Sequence, residues 1–328
     1  MDARAAILVV IDAVDGRLSS AALELMGAAL QLARKHAGSV SAVLLAGPGD
    51  SSAQQLFAHG ANRVYVAHAA DLANQVVEAR LPIILDACRQ AAARLVLLAH
   101  DVTGAELAPR LAFRLDGAVA TGCVDIDIGE SAVRCTRPCY GGVAREVDRF
   151  DAAPLVATLR AGIFEPAPQQ PDRSGEIVIL APDVAPRTRL VARQIDATDG
   201  VRLDDARAIV AGGRGLQGPE GFKVLEALAR ELGGAVGASR VPCDLGWCPH
   251  SWQIGLTGKT VTPELYVAVG ISGAGHHMAG CGNAKTIVAI NTDAQAAIFQ
   301  DARFGVVGDY REVVPALAAE LRRLKQRT

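Results

Sequence analysis

Aromatic residues are scarce, only 4% of the 328 residues. Ala, Val and Leu must therefore build most of the core, which suits helices packed on a buried parallel sheet whose strands read as continuous aliphatic runs. Charge imbalance is also small. A net charge of -2 gives no electrostatic reason to expect nucleic acid or an anionic membrane as a partner. Uninterrupted apolar segments long enough to span a bilayer are missing, so no membrane insertion is expected. The opening residues, Met1 to Ala5, carry no cationic leader or apolar run before the strand-like Ile7 to Ile11, and the expected location is the cytoplasm. Cysteine is sparse and odd in number, seven in all, which argues for reduced thiols over a disulfide framework. Cys135 with Cys139, and Cys243 with Cys248 and His250, lack the paired short spacings of a structural zinc site, so no metal is expected.

What is present is an alternation of strand and helix in a chain long enough for two domains. Ile7 to Ile11 reads as a strand, and Ser19-Ser20 as a helix cap. Leu23, Met26, Leu30 and Ala33 recur at helical spacing up to Gly38, before a strand over Val40 to Leu45. The rhythm continues with Arg63 to Val66, a helix from about Asn74 to Gln90, and the strand Leu95 to Ala99. His100 to Gly104 follows that strand without a P-loop lysine and is read as a structural turn. Further strands are expected over Ala118 to Asp127, Ala132 to Thr136 and Asp151 to Leu159. Phe164 to Ser174, with Pro166, Pro168 and Pro171, reads as a linker, and Glu176 to Gln194 as a bridge to a second domain.

In the C-terminal half, unusual residues recur where strands end, the place where open α/β sheets bind ligands. Arg207 to Val210 runs into Gly212-Gly213-Arg214-Gly215, and Ala235-Val236 runs into Gly237-Ala238-Ser239-Arg240. Pro219 fits the start of a helix that ends at Gly233. Gly255 and Gly258 flank Thr257 and leave its hydroxyl open. Leu265 to Val269 leads into Gly270-Ile271-Ser272-Gly273-Ala274-Gly275 and then His276 and His277, while Thr286 to Ile290 stops at Asn291 and Gly305 to Val307 stops near Asp309. A terminal helix carries Val314, Leu317, Leu321 and Leu324 on one stripe and a solvated basic face on the other.

These segments resemble the electron transfer flavoprotein alpha subunit family. The likeness lies in Val236 to Arg240, Gly255 to Lys259, Pro263 to Ala274, Thr286 to Asn291, Ala297 to Gln300 and Val306 to Asp309, with Glu106 to Arg110 and Tyr140 to Gly142 upstream. The resemblance implies an α/β fold of two domains: an N-terminal parallel-sheet, nucleotide-hydrolase-like domain over 1–195 and a C-terminal doubly wound FAD-binding domain over 196–328. It implies a heterodimer with a beta subunit that binds FAD and carries electrons from flavin dehydrogenases to a quinone oxidoreductase or similar acceptor, with no substrate turnover of its own. Arg214, Ser239, Ser272, Asn291 and Asp309 would hold the pyrophosphate and adenosine. Arg240 would lie against the isoalloxazine, Thr257 would bond its N5 region, and His277 would reach the C2 carbonyl. Ile254, Gly255, Leu256, Gly273, Ala274, Gly275 and His276 complete the expected cofactor set. His276 and Leu256 stand where the family usually has glutamine. The competing expectations are an NAD-dependent enzyme on a deoxyhypusine-synthase-like fold and an interaction subunit that has lost its flavin.

Overall fold

A computed structural model of the chain describes residues 6–14, 16–45, 51–67, 77–129, 132–142, 144–180, 188, 191, 201–203 and 206–326. It divides into two compact units, Met1–Cys139 with Val143–Gln194, and Tyr140–Gly142 with Ile195–Thr328. The expected boundary at 195, the first part of the helix read from Asn74, and most of the expected bridge up to Gln194 lie outside the described residues.

The first unit begins with β1 (Ala6–Val14), β2 (Arg17–Leu18), α1 (Ser20–Lys35), β3 (Ser39–Leu45), α2 (Ser52–Ala58) and β4 (Arg63–Ala67). It continues with α3 (Val77–Gln90), β5 (Leu95–Ala99), α4 (Val102–Arg114), β6 (Ala118–Cys123), β7 (Asp125–Ile128) and β8 (Val133–Cys139), then β9 (Ala144–Phe150), β10 (Leu155–Leu159) and β11 (Glu176–Leu180). The main sheet has the order β11-β4-β3-β1-β5-β10-β6, parallel throughout, with β2 antiparallel on β1. Ile7, Leu8, Val9 and Ile11 are all buried because both faces of β1 are covered, which is why this strand is aliphatic without alternation. Ser19 caps α1 by accepting from the Ala22 N–H at 3.1 Å.

Four features depart from the sequence reading. The run Ala118 to Asp127 is two strands in different sheets: β6 joins the parallel sheet, whereas β7 joins an antiparallel sheet β7-β8-β9. The division falls at Val124, just after a register shift in the β6–β10 pairing where Gly122 sits at φ 69°. β9 was not anticipated, since Arg145, Glu146, Asp148 and Arg149 make it read as a loop. Its charges pair across the sheet, Arg137 with Glu146 at 2.6 Å and with Asp148 at 3.2 Å, and the strand that was expected from Asp151 begins only at Leu155. Pro138 is tolerated within β8 because β7 pairs only as far as Thr136, leaving the proline with β9 alone. α2 also carries no periodic signal of its own over seven residues.

The proline-rich stretch is a strap, not a linker. Its Ala167 N–H donates to Leu23 O on α1 at 2.9 Å, Gln170 N–H donates to Ala58 O on α2 at 2.7 Å, and His59 Nδ1 meets Ala167 O at 2.9 Å. A Cβ on Gly27 would lie 1.9 Å from Glu165 O, so glycine in α1 admits the strap's backbone. The strap then delivers β11 to the sheet edge beside β4.

The second unit contains β12 (Ala208–Gly212), α5 (Glu220–Leu232), β13 (Ala235–Ala238), α6 (Arg240–Asp244) and β14 (Leu265–Val269), then α7 (Gly275–Cys281), β15 (Thr286–Asn291), α8 (Ile298–Asp301), β16 (Phe304–Val307) and α9 (Tyr310–Lys325). Its sheet is parallel, in the order β13-β12-β14-β15-β16. α5 buries Phe222, Leu225 and Leu228, and Gly233 stops it in the left-handed region at φ 62°. Val314 and Ala318 of α9 share that core, and Tyr310 Oη donates to Leu216 O at 3.1 Å. The chain leaves β12 to one side for β13 and returns to the other for β14. Their C-terminal ends therefore flank a topological switch point. Among the described residues no helix is long and apolar enough to cross a membrane.

Candidate functional site

The loops after these strands are tied to one another by main-chain bonds. Gly213 N–H donates to Val269 O at 2.9 Å, Gly215 N–H to Gly270 O at 3.0 Å, Ser239 N–H to Gly212 O at 2.9 Å and Ile254 N–H to Ala238 O at 2.9 Å. The crossing of the β12 and β14 loops is possible because both lack side chains: a Cβ on Gly213 would sit 2.2 Å from Gly270 O, and Gly270 itself is at φ 61°. Farther on, Leu256 N–H donates to His276 O at 2.7 Å. The result is one continuous rim built from the ends of β12, β13 and β14, the turn 253–259 and the start of α7.

On this rim Arg214, Arg240, Leu256, Thr257, Ser272, Ala274, Gly275 and His276 are exposed, and Ser239 is half-buried. Nothing lies within 4 Å of a Cβ built on Gly275, so the start of α7 is open. Thr257 is oriented by a residue the sequence reading did not single out. Gln253, 9% exposed, donates its Nε2–H to Thr257 Oγ at 3.0 Å. That bond uses a lone pair of the hydroxyl and leaves its proton for another acceptor. Arg240 is held by Asp244 one turn on, Nε to Oδ2 at 3.0 Å, so its guanidinium is positioned but partly neutralised.

The two adjacent histidines separate sharply. His276 is exposed, whereas His277 is 7% exposed and both of its ring nitrogens have protein partners. Nδ1 lies 3.1 Å from Ile254 O and Nε2 lies 2.9 Å from Tyr266 Oη. A carbonyl can only accept, so Nδ1 carries the proton and Nε2 accepts from the tyrosine hydroxyl. Burial holds the ring neutral by lowering its pKa from 6.5 to about 4. In this arrangement His277 has no donor left for a flavin carbonyl. It pins α7 to β14 and to the turn 253–259, and the free imidazole belongs to His276.

Other expected contacts also carry structural duties. Ile254 is buried, with its side chain against Gly237. Asn291 donates from Nδ2 to Ile271 O at 2.9 Å and accepts the Asp293 N–H at 3.0 Å, which ties the end of β15 to the β14 loop. Asp309 caps α9 through the Arg311 N–H at 2.8 Å and pairs with the Arg311 guanidinium at 3.1 Å; these keep its carboxyl below the usual range. Gly273, at φ 84°, packs its backbone on Ile298 N, and Gly255, at φ 144°, packs on His276 O. These residues shape the rim more than they furnish free donors.

Two guanidiniums, exposed serine and threonine hydroxyls, and backbone stripped of side chains suit a dinucleotide whose pyrophosphate is anionic and whose ring system is broad. Outside the rim, His100 is a turn residue, its Nδ1 2.9 Å from Thr158 Oγ. Among the described residues no group of His, Cys, Asp and Glu is arranged to hold a metal.

Comparison with known proteins gives this arrangement its context. Residues 7–185 match the electron transfer flavoprotein domain, and residues 202–282 match the electron transfer flavoprotein FAD-binding domain. An electron transfer flavoprotein subunit alpha of Thermoanaerobacterium thermosaccharolyticum is 38% identical over 316 residues, covering 95% of this chain and 96% of that protein. The subunit alpha of Bacillus subtilis is 38% identical over 311 residues, 94% of this chain and 95% of its own length. That of Mycobacterium leprae is 37% identical over 313 residues, 94% and 96%. With both units matched and similarity running through nearly the whole length, the chain belongs to the electron transfer flavoprotein alpha subunit family.

Proposed function

We propose that this protein is the alpha subunit of a heterodimeric electron transfer flavoprotein, that it holds FAD on the rim of its second unit, and that it carries electrons between other flavoproteins without turning over a substrate. Its partner is a beta subunit, its donors are flavin dehydrogenases, and its acceptor is a quinone oxidoreductase or an equivalent. The observation that carries the reading is the joined set of strand-end loops presenting Arg214, Ser239, Arg240, Thr257 and Ser272, in a segment that matches an FAD-binding domain.

FAD, when bound, supplies reversible electron acceptance and release. The chain's own residues supply the surroundings. Arg214, Ser239 and Ser272 offer cationic and hydroxyl donors to a pyrophosphate. Arg240 would lie beside the ring system and supply positive charge to it. Thr257, oriented by Gln253, offers a hydroxyl proton to a ring nitrogen. His276 presents the exposed imidazole, and His277 holds the turn that carries Leu256 and Thr257 in register. Among the residues expected at the site, Gly255, Gly273, Ala274 and Gly275 admit close approach, while Asn291 and Asp309 set the loops beneath.

Purifying the chain with its beta subunit and recording the visible spectrum tests this. A yellow heterodimer with flavin absorbance is expected, and a complex that stays colourless after FAD addition overturns it. Arg240→Ala is expected to lower the flavin midpoint potential by up to about 30 mV, the two-electron equivalent of a tenfold change. The Asp244 ion pair and solvent exposure keep the effect small.

A further inference from the structure

Two cysteines of the second unit stand in a relation that electron transfer does not use. Cys243 on α6 and Cys248, beyond the turn at Gly246, bring their Sγ atoms to 3.5 Å. Both are free thiols, 2% and 9% exposed. A disulfide needs its sulfurs about 2.05 Å apart, so closure requires a movement of only about 1.5 Å. The segment between them permits it. α6 is a short helix of five residues, Asp244 and Leu245 are exposed, and Gly246, at φ 70°, meets nothing within 4 Å of a Cβ.

We propose that Cys243 and Cys248 form a reversible dithiol–disulfide site whose oxidant is a hydroperoxide, and that oxidation locks the C-terminal end of α6, the helix that begins with Arg240. The roles of the two sulfurs follow from their contact. Hydrogen bonding from Cys248 holds the Cys243 thiol below its usual value, while the same contact pushes Cys248 up. Cys243 is thus the attacking thiolate. It attacks the hydroperoxide oxygen, the O–O bond breaks, and an alcohol, or water from hydrogen peroxide, leaves with a proton. The Cys248 sulfur then attacks the sulfur of the resulting Cys243 sulfenic acid, the S–S bond forms as the S–O bond breaks, and the hydroxyl leaves as water with the Cys248 thiol proton. The two thiols lose two electrons and the hydroperoxide gains two. The thiols themselves lie in the core beside Trp247, so a small oxidant reaches them by local opening of the turn, whose Asp244, Leu245 and Gly246 are exposed.

The link to Arg240 rests on the flavin reading, whereas the disulfide itself does not. The test exposes the FAD-loaded heterodimer, and separately the flavin-free chain, to hydrogen peroxide, followed by alkylation, digestion and mass mapping. In both samples a cross-linked peptide joining Cys243 and Cys248 is expected, lighter by two hydrogen atoms than the reduced pair and abolished by dithiothreitol. Cys248→Ser is expected to stop at a Cys243 sulfenic acid that dimedone traps, and Cys243→Ser to give no adduct at Cys248. The proposal is overturned if wild-type protein with an unchanged circular dichroism spectrum emerges with both cysteines fully alkylated; this result stands even if a variant fails to fold. The coupling to Arg240 is overturned if the cross-link forms but flavin absorbance and midpoint potential stay the same.

Discussion

At His277 a single imidazole connects three pieces of the second unit: its own helix α7, Tyr266 on β14, and the carbonyl of Ile254 in the site turn. Because the folded ring titrates at about 4 against 6.5 when unconstrained, the unfolded chain binds a proton between those values that the folded chain does not. Stability therefore rises with pH across that window and is lost as pH falls from about 6.5 toward 4, by roughly 3 kcal/mol at most. Urea unfolding of wild type and His277→Asn at pH 6.5 and pH 4.5 checks this. The variant is expected to show the smaller loss, and equal losses would exclude His277 as its source. Gln253→Ala belongs to the same scale. Freed from its amide, Thr257 can turn its hydroxyl away, so flavin potential is expected to fall while the fold is retained, measured by spectroelectrochemistry beside circular dichroism. Which of two neighbouring histidines faces inward was not legible in the sequence. Successive helical residues point about 100° apart, and either could have faced the core until Tyr266 and Ile254 O were seen beneath one of them.

Among elements, the crossing of the β12 and β14 loops is the least tolerant. Gly213→Ala places a methyl 2.2 Å from Gly270 O, a backbone atom that cannot yield without moving the strand end. The expected result is loss of FAD retention, together with destabilisation of about 1–3 kcal/mol typical of overpacking, read by flavin content per heterodimer and by urea midpoint. In the first unit Gly27→Ala meets Glu165 O at 1.9 Å and is expected to displace the proline-rich strap. Faster hydrogen exchange at Ala167 and Gln170 would report it; unchanged protection there would mean that the helix shifts instead. Strand ends and helix stops were legible because glycine, serine and proline mark them locally, as at Ser19 and Gly233. The strap and β9 were not, because prolines and charges read alike whether a segment is free or pinned by distant partners.

For the whole molecule, the two units carry separate cores on separate sheets. A ligand that binds only the folded second unit stabilises it by mass action, by about 2.7 kcal/mol when its concentration is a hundredfold above Kd. Hydrogen exchange of the heterodimer with and without FAD is therefore expected to slow in β12, β13 and β14 more than in β1, β3 and β5. Equal slowing in both sheets would place the cofactor's influence elsewhere.

Residue order alone determined the strand-and-helix alternation, the caps, and the clustering of Arg214, Ser239, Arg240, Thr257 and Ser272 after strands, since each depends on side-chain period and on backbone freedom within a few residues. Only the tertiary structure decided that His277 is a core pin and His276 the exposed ring, that Asn291 and Asp309 brace loops, that the proline-rich stretch is a strap, and that Cys243 faces Cys248. These depend on which groups meet across the fold. A buried imidazole or thiol takes its protonation and its role from the partners that replace water around it.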